Sequence, residues 1–469
     1  MAPVTSHPSP LTSKEDTICA PATAPGGALG IIRISGDQSL EILSHVFSKD
    51  LTHSRPNTIH YGHIVPLLQE GLGEDSEVID EVLVSIFRAP HSYTGEDSIE
   101  ISCHGSPYII NKVLELLVKN GCRTANPGEF TMRAYLNGKL DLSQAEAVAD
   151  LIAATNRATH RIALSQLKGQ FSSELDKLRD QLLQMTTLLE LELDFSDHED
   201  LEFADRTELM HLAQTIEKHV THLAHTFETG QAIKRGIPVA IIGRTNVGKS
   251  TLLNRLLKDD RAIVSDIHGT TRDTIEDAID IKGVTFRFID TAGIRETTDQ
   301  IEQIGINRTY QAVDRAHIVI WMIDKWPNEK EIEEIVERCG NRKLIPVWNK
   351  SDKAAPANHI VAQSPILSIS AKNGWNIEAL EQTIYDAADL QHFHQTDVIV
   401  TSVRHYHKLL SVSDSMKQVS EAIASGISAD LIAEHLKTAL DHLAAISGKG
   451  RITPQETLNN IFSSFCVGK

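Results

Sequence analysis

The stretch PVAIIGRTNVGKSTLLNRLL (238–257) decides the fold. PVAII is a short apolar run of strand type, and TLLNRLL repeats leucine at helical spacing. Between them GRTNVGKS (243–250) fits the pattern G-x-x-x-x-G-K-[ST]. A strand, a glycine-rich turn and a helix in this order form a phosphate-binding loop. The glycines let backbone N–H groups converge on phosphate oxygens, and the helix N-terminus adds the positive end of its dipole. Lys249 supplies a point charge to the terminal phosphates, and the Ser250 hydroxyl suits a Mg²⁺ ligand. Asn246, Val247, Gly248 and Thr251 complete the nucleotide contacts expected of this loop.

Three companion motifs follow in order. FIDTAG (288–293) ends a strand with Asp290, Thr291, Ala292 and Gly293, suited to a metal shell and to sensing a γ-phosphate. NKSD (349–352) follows the apolar run LIPVW and contributes Asn349, Lys350 and Asp352. A carboxylate at Asp352 accepts from both N–H groups on the Watson–Crick edge of guanine, a pairing adenine lacks. SAK (370–372), with Ser370, Ala371 and Lys372, closes the base pocket. Together the motifs specify GTP. The strands PVAIIG, VTFRFID, HIVIWMID, LIPVWNK and SPILSIS alternate with amphipathic helices between about 236 and 394. That pattern implies an α/β Ras-like G domain, a mostly parallel sheet with helices on both faces. Ile294 stands where Ras-like GTPases carry a water-orienting glutamine, and it cannot orient water by hydrogen bonding. Glu296 and Glu302 lie just downstream.

Outside this domain the character changes. Residues 1–138 carry β-rich runs such as GALGIIRISG and EVLVSIFRAP with one helical stretch, IINKVLELLVKNG, the mark of an α+β domain. In 139–235, Leu164, Leu167, Phe171, Leu175, Leu178, Leu182, Met185 and Leu189 recur at spacings of 3 and 4, one stripe of a long amphipathic helix. Helical character returns in 395–469, with Val412, Met416, Val419, Ile423 and Ile427. The economical architecture is multidomain: an α/β domain inserted into a discontinuous all-α helical domain, behind an α+β N-terminal domain.

Composition bounds the partners. At 469 residues the chain exceeds one ordinary core. Its 45 basic and 63 acidic side chains give a net charge of −18, so any nucleic-acid contact is local or lent by a partner. Five cysteines (Cys19, Cys103, Cys122, Cys339, Cys466) are scattered without a C-x-x-C pair, which argues against zinc and disulfides and for a reducing compartment. The H-x-H pairs His392/His394 and His405/His407 lack a third ligand-type neighbour and read as solvated. No apolar run reaches the ~20 residues of a membrane span. MAPVTSHPSPLTSKED (1–16) has neither arginine nor an apolar core, and reads as a short disordered lead-in.

With the phosphate-binding loop, GTTRD (269–273) and the terminal FCVGK in view, the sequence resembles the MnmE (TrmE) family of tRNA uridine-modification GTPases. DTICAPATAPGGALGIIRISG, SYTGEDSIEISCHG, NPGEFTMRAYLNGKLDLSQAEAVADLI and IFSSFCVGK carry the resemblance over nearly the whole chain. It implies a folate-binding, dimer-forming N-terminal domain, with Arg33, Glu100, Lys139 and Lys469 holding 5-formyl-tetrahydrofolate or a related tetrahydrofolate. It implies G domains that pair across the nucleotides with K⁺ in place of an arginine finger. Asn246, Ser265, the Ile267 carbonyl and Thr270 would hold K⁺. Ser250 and Thr271 would hold Mg²⁺, and Glu302 would orient the attacking water. Asp266, His268 and Gly269 belong to the same nucleotide-contacting loop. The implied partner is a flavin-dependent MnmG-type protein in a heterotetramer. Together they would add a (carboxymethyl)aminomethyl group to C5 of the wobble uridine of certain tRNAs, in the cytoplasm. Departures are small: Thr245 and Ser196 stand where proline is common, and Ser265 replaces threonine.

Two other classes compete: a ribosome-assembly or translation switch acting as an RNA-binding scaffold, and a purely mechanical dimerisation switch. The first usually carries a basic RNA-binding domain, which the acidic and amphipathic flanks do not supply. The ending FCVGK fits the prenylation frame in position only, since Gly468 and Lys469 are the wrong residues and no polybasic run accompanies them. The resemblance instead brings Cys466 near the folate. Two roles stand for its thiol: nucleophile or proton donor in the modification reaction, or simple packing.

Overall fold

β10 (Ile318–Ile323, IVIWMI) is buried at every position, which a strand achieves only when both sheet faces are covered. The computed structural model describes residues 16–24, 26–66, 78–194, 206–258, 277–289, 311–354, 356, 360–361, 363–389, 398–449, 455–463 and 465–468. In chain order the strands before β10 are β1 (Ile18–Pro21), β2 (Leu29–Ser35), β3 (Thr58–Ile64), β4 (Asp80–Phe87), β5 (Ser98–His104), β6 (Arg123–Thr124), β7 (Ile237–Ile242), β8 (Asp277–Ile281) and β9 (Val284–Phe288). After it come β11 (Lys343–Trp348), β12 (Ile360–Val361), β13 (Ser364–Pro365) and β14 (Leu367–Ser368). The helices are α1 (Ser39–Ser44), α2 (Pro107–Lys119), α3 (Glu129–Leu136), α4 (Leu142–Ile152), α5 (Arg157–Leu167), α6 (Gln170–Asp194), α7 (Arg206–Arg235), α8 (Lys249–Lys258), α9 (Glu329–Cys339), α10 (Ile377–Ala387), α11 (Val403–Ala424), α12 (Ala429–Ser447) and α13 (Gln455–Phe462).

The chain forms two compact units, 1–149 with 444–469, and 150–443. In the first, the sheet order is β3-β4-β5-β2-β1-β6, antiparallel except for the parallel β1–β6 pair. β4 alternates Val82, Val84 and Ile86 inward with Glu81 and Leu83 outward. The inward residues pack with Leu43, Phe47, Val113 and Leu117 under α1 and α2. This is the expected α+β arrangement. The C-terminal residues join this unit: Leu458, Phe462 and Phe465 pack against Met132, Leu142 and Ala145.

In the second unit the sheet order is β14-β11-β10-β7-β9-β8, parallel except for β8. Leu252, Leu253 and Leu256 of α8 and Leu380 and Ile384 of α10 cover one face. Cys339 of α9 packs on the other with Val319, Trp321 and Trp348. The loops after β7, β11 and β14 therefore meet at one edge of the sheet, outside the carboxyl ends of the strands.

The helices before and after this sheet pack together, as the insertion requires. Phe227 of α7 stacks on Tyr406 of α11 with ring centroids 4.3 Å apart, and the Val400 amide donates to Thr226 Oγ1 at 3.0 Å. Gln166 Nε2 donates to the Ile399 carbonyl at 2.9 Å. Three expectations are corrected here. The stripe from Leu164 to Leu189 is not one helix, because Gly169 turns the chain at φ 82° between α5 and α6. In α5 the buried positions are Ile162, Ala163 and Gln166, while Leu164 and Leu167 are only half-buried. His405 is not solvated either; it is buried 5.1 Å from the Phe171 ring. Ile427 lies beyond the end of α11 and is exposed.

Candidate functional site

The turn between β7 and α8 needs its glycines. Gly243 has φ 142°, and a Cβ there would lie 2.4 Å from the Met322 carbonyl oxygen. Gly248 has φ 107°, and a Cβ there would lie 2.3 Å from Asn349 Nδ2. Asn246 between them is left-handed at φ 60°. The backbone thus wraps a concave cradle that only these residues permit. Lys249 Nζ donates to the carbonyls of Gly243 and Arg244 at 2.7 and 2.9 Å, spanning the loop. Burial pushes its ammonium below the ordinary lysine value, so a phosphate brought to it meets an under-solvated cation.

The base-side loops are tied to this cradle. Asn349, buried, donates through Nδ2 to the Val247 carbonyl at 2.7 Å and accepts through Oδ1 from the Ala371 amide at 3.0 Å. One side chain so joins the phosphate loop, NKSD and SAK. Lys350 Nζ donates to the Asn246 carbonyl at 2.8 Å and pairs with Asp324 at 2.7 Å. The Ser370 hydroxyl donates to Asp352 Oδ1 at 2.7 Å and holds that carboxyl below its ordinary value. Asp352 is exposed. An ionised acceptor beside a fixed cradle is the arrangement a guanine nucleotide requires.

In the first unit, β2 and β5 bring Arg33 opposite Glu100 in register. Arg33 Nη2 and Nε reach Glu100 Oε1 at 2.8 and 3.0 Å, and the guanidinium sits 5.4 Å from the Tyr93 ring and 5.6 Å from the Phe130 ring. Arg33 Nη1 also donates to the Gly468 carbonyl at 3.5 Å. The tail is held closely there: a Cβ at Gly468, φ 91°, would lie 2.1 Å from the Pro21 carbonyl oxygen. The Gly128 amide donates to the Cys466 carbonyl at 3.4 Å, and the Cys466 side chain is exposed. Lys139 Nζ donates to the Pro90 carbonyl at 2.9 Å. The Arg33 guanidinium, the Glu100 carboxylate, the exposed Lys139 ammonium and the exposed Tyr93 ring offer charge and one accessible ring to a flat, acid-bearing ligand, whereas the Phe130 ring is fully buried.

The family model of the MnmE helical domain matches residues 142–466, and that of the GTP-binding protein TrmE N-terminus matches residues 17–139. The tRNA modification GTPase MnmE of Phocaeicola vulgatus is 52% identical over 97% of this chain and 99% of its own length. The chain belongs to the MnmE (TrmE) family. The proteins of that name from Bacteroides fragilis and Parabacteroides distasonis are 51% and 50% identical, each over 97% of this chain and 100% of their own lengths. Among solved structures, the G domain of T. maritima FeoB aligns with 32% of this chain and 98% of its own, at 24% identity and TM-score 0.24.

For this MnmE-family chain, Asn246, Val247 and Gly248 lie on the turn before α8, Lys249, Ser250 and Thr251 lie in its first turn, and Asn349, Lys350, Asp352, Ser370, Ala371 and Lys372 lie on the loops after β11 and β14. Ser265, Asp266, Ile267, His268, Gly269, Thr270, Thr271, Asp290, Thr291, Ala292, Gly293, Ile294, Glu302 and Lys469 lie outside the described residues, as do Ser196, His392, His394 and the lead-in 1–15. Among the described residues no cluster of three or more His, Cys, Asp or Glu is arranged to hold a metal, and no helix is long and apolar enough to cross a membrane. Sequence reasoning missed Asp324, which fixes Lys350. Its signal was present, a lone acid closing the apolar strand HIVIWMID. It also missed Tyr93 and Phe130 beside Arg33, for which no local pattern existed.

Proposed function

We propose that the chain is a K⁺-activated GTP hydrolase that acts in tRNA modification. With an MnmG-type FAD protein it uses a tetrahydrofolate one-carbon unit to place a (carboxymethyl)aminomethyl group on C5 of the wobble uridine. The observation that carries this reading is Asn349, which ties the phosphate cradle to the SAK loop beside the ionised Asp352. Lys249, Ser250 and Thr271 take the phosphates and Mg²⁺. Asn246, Ser265, Ile267 and Thr270 would hold K⁺, which would supply positive charge against the negative charge of the transition state. Glu302 orients water in place of the incapable Ile294. Arg33, Glu100, Lys139 and Lys469 hold the folate, with Cys466 beside the one-carbon chemistry. The working form is a cytoplasmic homodimer divided as 1–138, 139–235, 236–394 and 395–469, completed to a heterotetramer by the partner. The acidic chain is supported in this by a division of labour in which the partner supplies much of the tRNA grip.

Mass spectrometry of tRNA nucleosides after loss of the gene tests the whole reading; an unmodified wobble uridine is expected, and an unchanged profile overturns it. GTP turnover in K⁺ against Na⁺ tests the cation, and equal rates would remove K⁺ from the mechanism.

A further inference from the structure

α8 begins at the phosphate-binding lysine, and its buried face is leucine (Leu252, Leu253, Leu256). Arg255 leaves that helix on a different side and crosses to the loop that follows β14. Its Nη2 donates to the Lys372 carbonyl at 2.8 Å and its Nε to the Ala371 carbonyl at 3.5 Å. The guanidinium carbon lies 3.5 Å from the position a Cβ would occupy at Gly374, where φ is 78°. The left-handed glycine lets the planar group lie close over the loop. The loop is itself a tight turn, with the Gly374 amide donating to the Ser370 carbonyl at 2.8 Å and Trp375 bridging back to Ser370. Arg255 thus grips the Ala371 and Lys372 carbonyls of a turn whose other anchors, Asn349 to the Ala371 amide and Asp352 to Ser370, come from the NKSD side.

We propose that Arg255 is a positioning residue for the guanine base. It fixes the SAK turn to the helix that starts at the phosphate cradle, so the two ends of the nucleotide site keep one separation. A nucleotide binds through both ends at once, and a pre-set separation spares it the ordering of a loop on binding. A guanidinium suits the task because two of its N–H groups address two successive carbonyls while its flat face covers glycine; an ammonium offers a point donor only. The inference rests on the guanine-nucleotide reading of the loops but names a residue outside all four motifs.

The test is binding and turnover by the full chain with Arg255→Ala and Arg255→Lys. Fluorescent GDP should dissociate faster from Arg255→Ala and bind on the order of tenfold more weakly, the worth of one charged hydrogen bond. Arg255→Lys should recover part of the loss through the Lys372 carbonyl. In GTP turnover the loss should fall on KM rather than kcat. Inorganic triphosphate, which has no base, should bind wild type and Arg255→Ala alike. Weakening of triphosphate and GDP by the same factor would mean that Arg255 merely supports the fold of α8, and would overturn the proposal. So would GDP affinity unchanged in Arg255→Ala. If wild type binds triphosphate but shows no preference for GDP over ADP, the guanine reading itself fails, and Arg255 with it.

Discussion

In the proposed reading, Asp352 carries the base selectivity through its carboxylate, whose environment favours the ionised form. The Ser370 hydroxyl donates to one of its oxygens and lowers the carboxyl below its ordinary value of 3.8. Asp352→Asn replaces an acceptor with a donor. GTP affinity should fall on the order of a hundredfold, while the xanthine nucleotide, which presents an acceptor where guanine has its amino group, should gain. Competition of GTP and XTP for the same labelled nucleotide measures both, and equal loss of the two would exclude Asp352 from the base edge. The pH dependence follows from the sign of the shift. A lowered carboxyl is ionised at every pH above its ordinary value and loses its charge only as pH falls through the lowered one. GDP affinity should therefore be insensitive to this group from about pH 8 to about pH 5, and Ser370→Ala should raise the pH at which it declines. A decline centred near neutrality would mean that another group controls binding.

Whole elements depend on contacts that composition does not reveal. In α7, Gly230 faces the Val400 carbonyl, and a Cβ there would lie 2.2 Å from its oxygen. Replacing an exposed mid-helix glycine with alanine ordinarily stabilises by about 1 kcal/mol. Here the backbone oxygen cannot retreat like a side chain, so Gly230→Ala should destabilise instead, by roughly 1–3 kcal/mol in urea unfolding. A gain in stability would show that α7 and the chain at 400 separate easily. In the first unit Arg133, 7% exposed, pairs with Asp16 at 2.7 Å, with Glu96 at 3.1 Å and with Glu129 at 3.2 Å. Burial works to raise the Asp16 carboxyl, but Arg123 and Arg133 together hold it below 3.8. Its stabilising contribution is present above that value and lost as pH falls through the lowered one. Asp16→Asn should flatten the acid limb of the unfolding profile below about pH 4. Arg133→Met should cost on the order of 3 kcal/mol at neutral pH, because it strips cover from buried carboxylates.

These same elements mark how much was legible. GRTNVGKS, NKSD and SAK were readable because the cradle and base pocket impose residue identity at fixed local spacing. The sheet of β7, β10 and β11 was readable because parallel strands covered on both faces are continuously apolar. The break at Gly169 was not, since a glycine inside a leucine stripe costs little on paper while its φ decides the geometry. Arg33 meets Glu100 only through the pairing of β2 with β5, a register set by the whole sheet. Arg255 reads as an ordinary charged residue of a helix until the loop it grips is folded against it.

At the scale of the molecule, the two candidate ligand sites belong to different compact units. Arg33, Glu100, Lys139 and the tail through Gly468 lie in the unit of 1–149 and 444–469, and the nucleotide loops lie in 150–443. A ligand stabilises the unit whose folded form it binds, by about 2.7 kcal/mol when present at a hundred times its Kd. If the units unfold as separate cooperative blocks, calorimetry of the full chain shows two transitions. GDP with Mg²⁺ should raise one of them, and 5-formyl-tetrahydrofolate should raise the other. Asp352→Asn should abolish the first shift and keep the second, whereas Arg33→Ala should do the reverse. A single transition raised by both ligands would make the chain one cooperative block and erase the separation. A folate that moves neither transition would remove Arg33 and Glu100 from ligand binding and leave their ion pair as a brace between β2 and β5, which Arg33→Ala would then weaken in the absence of any ligand.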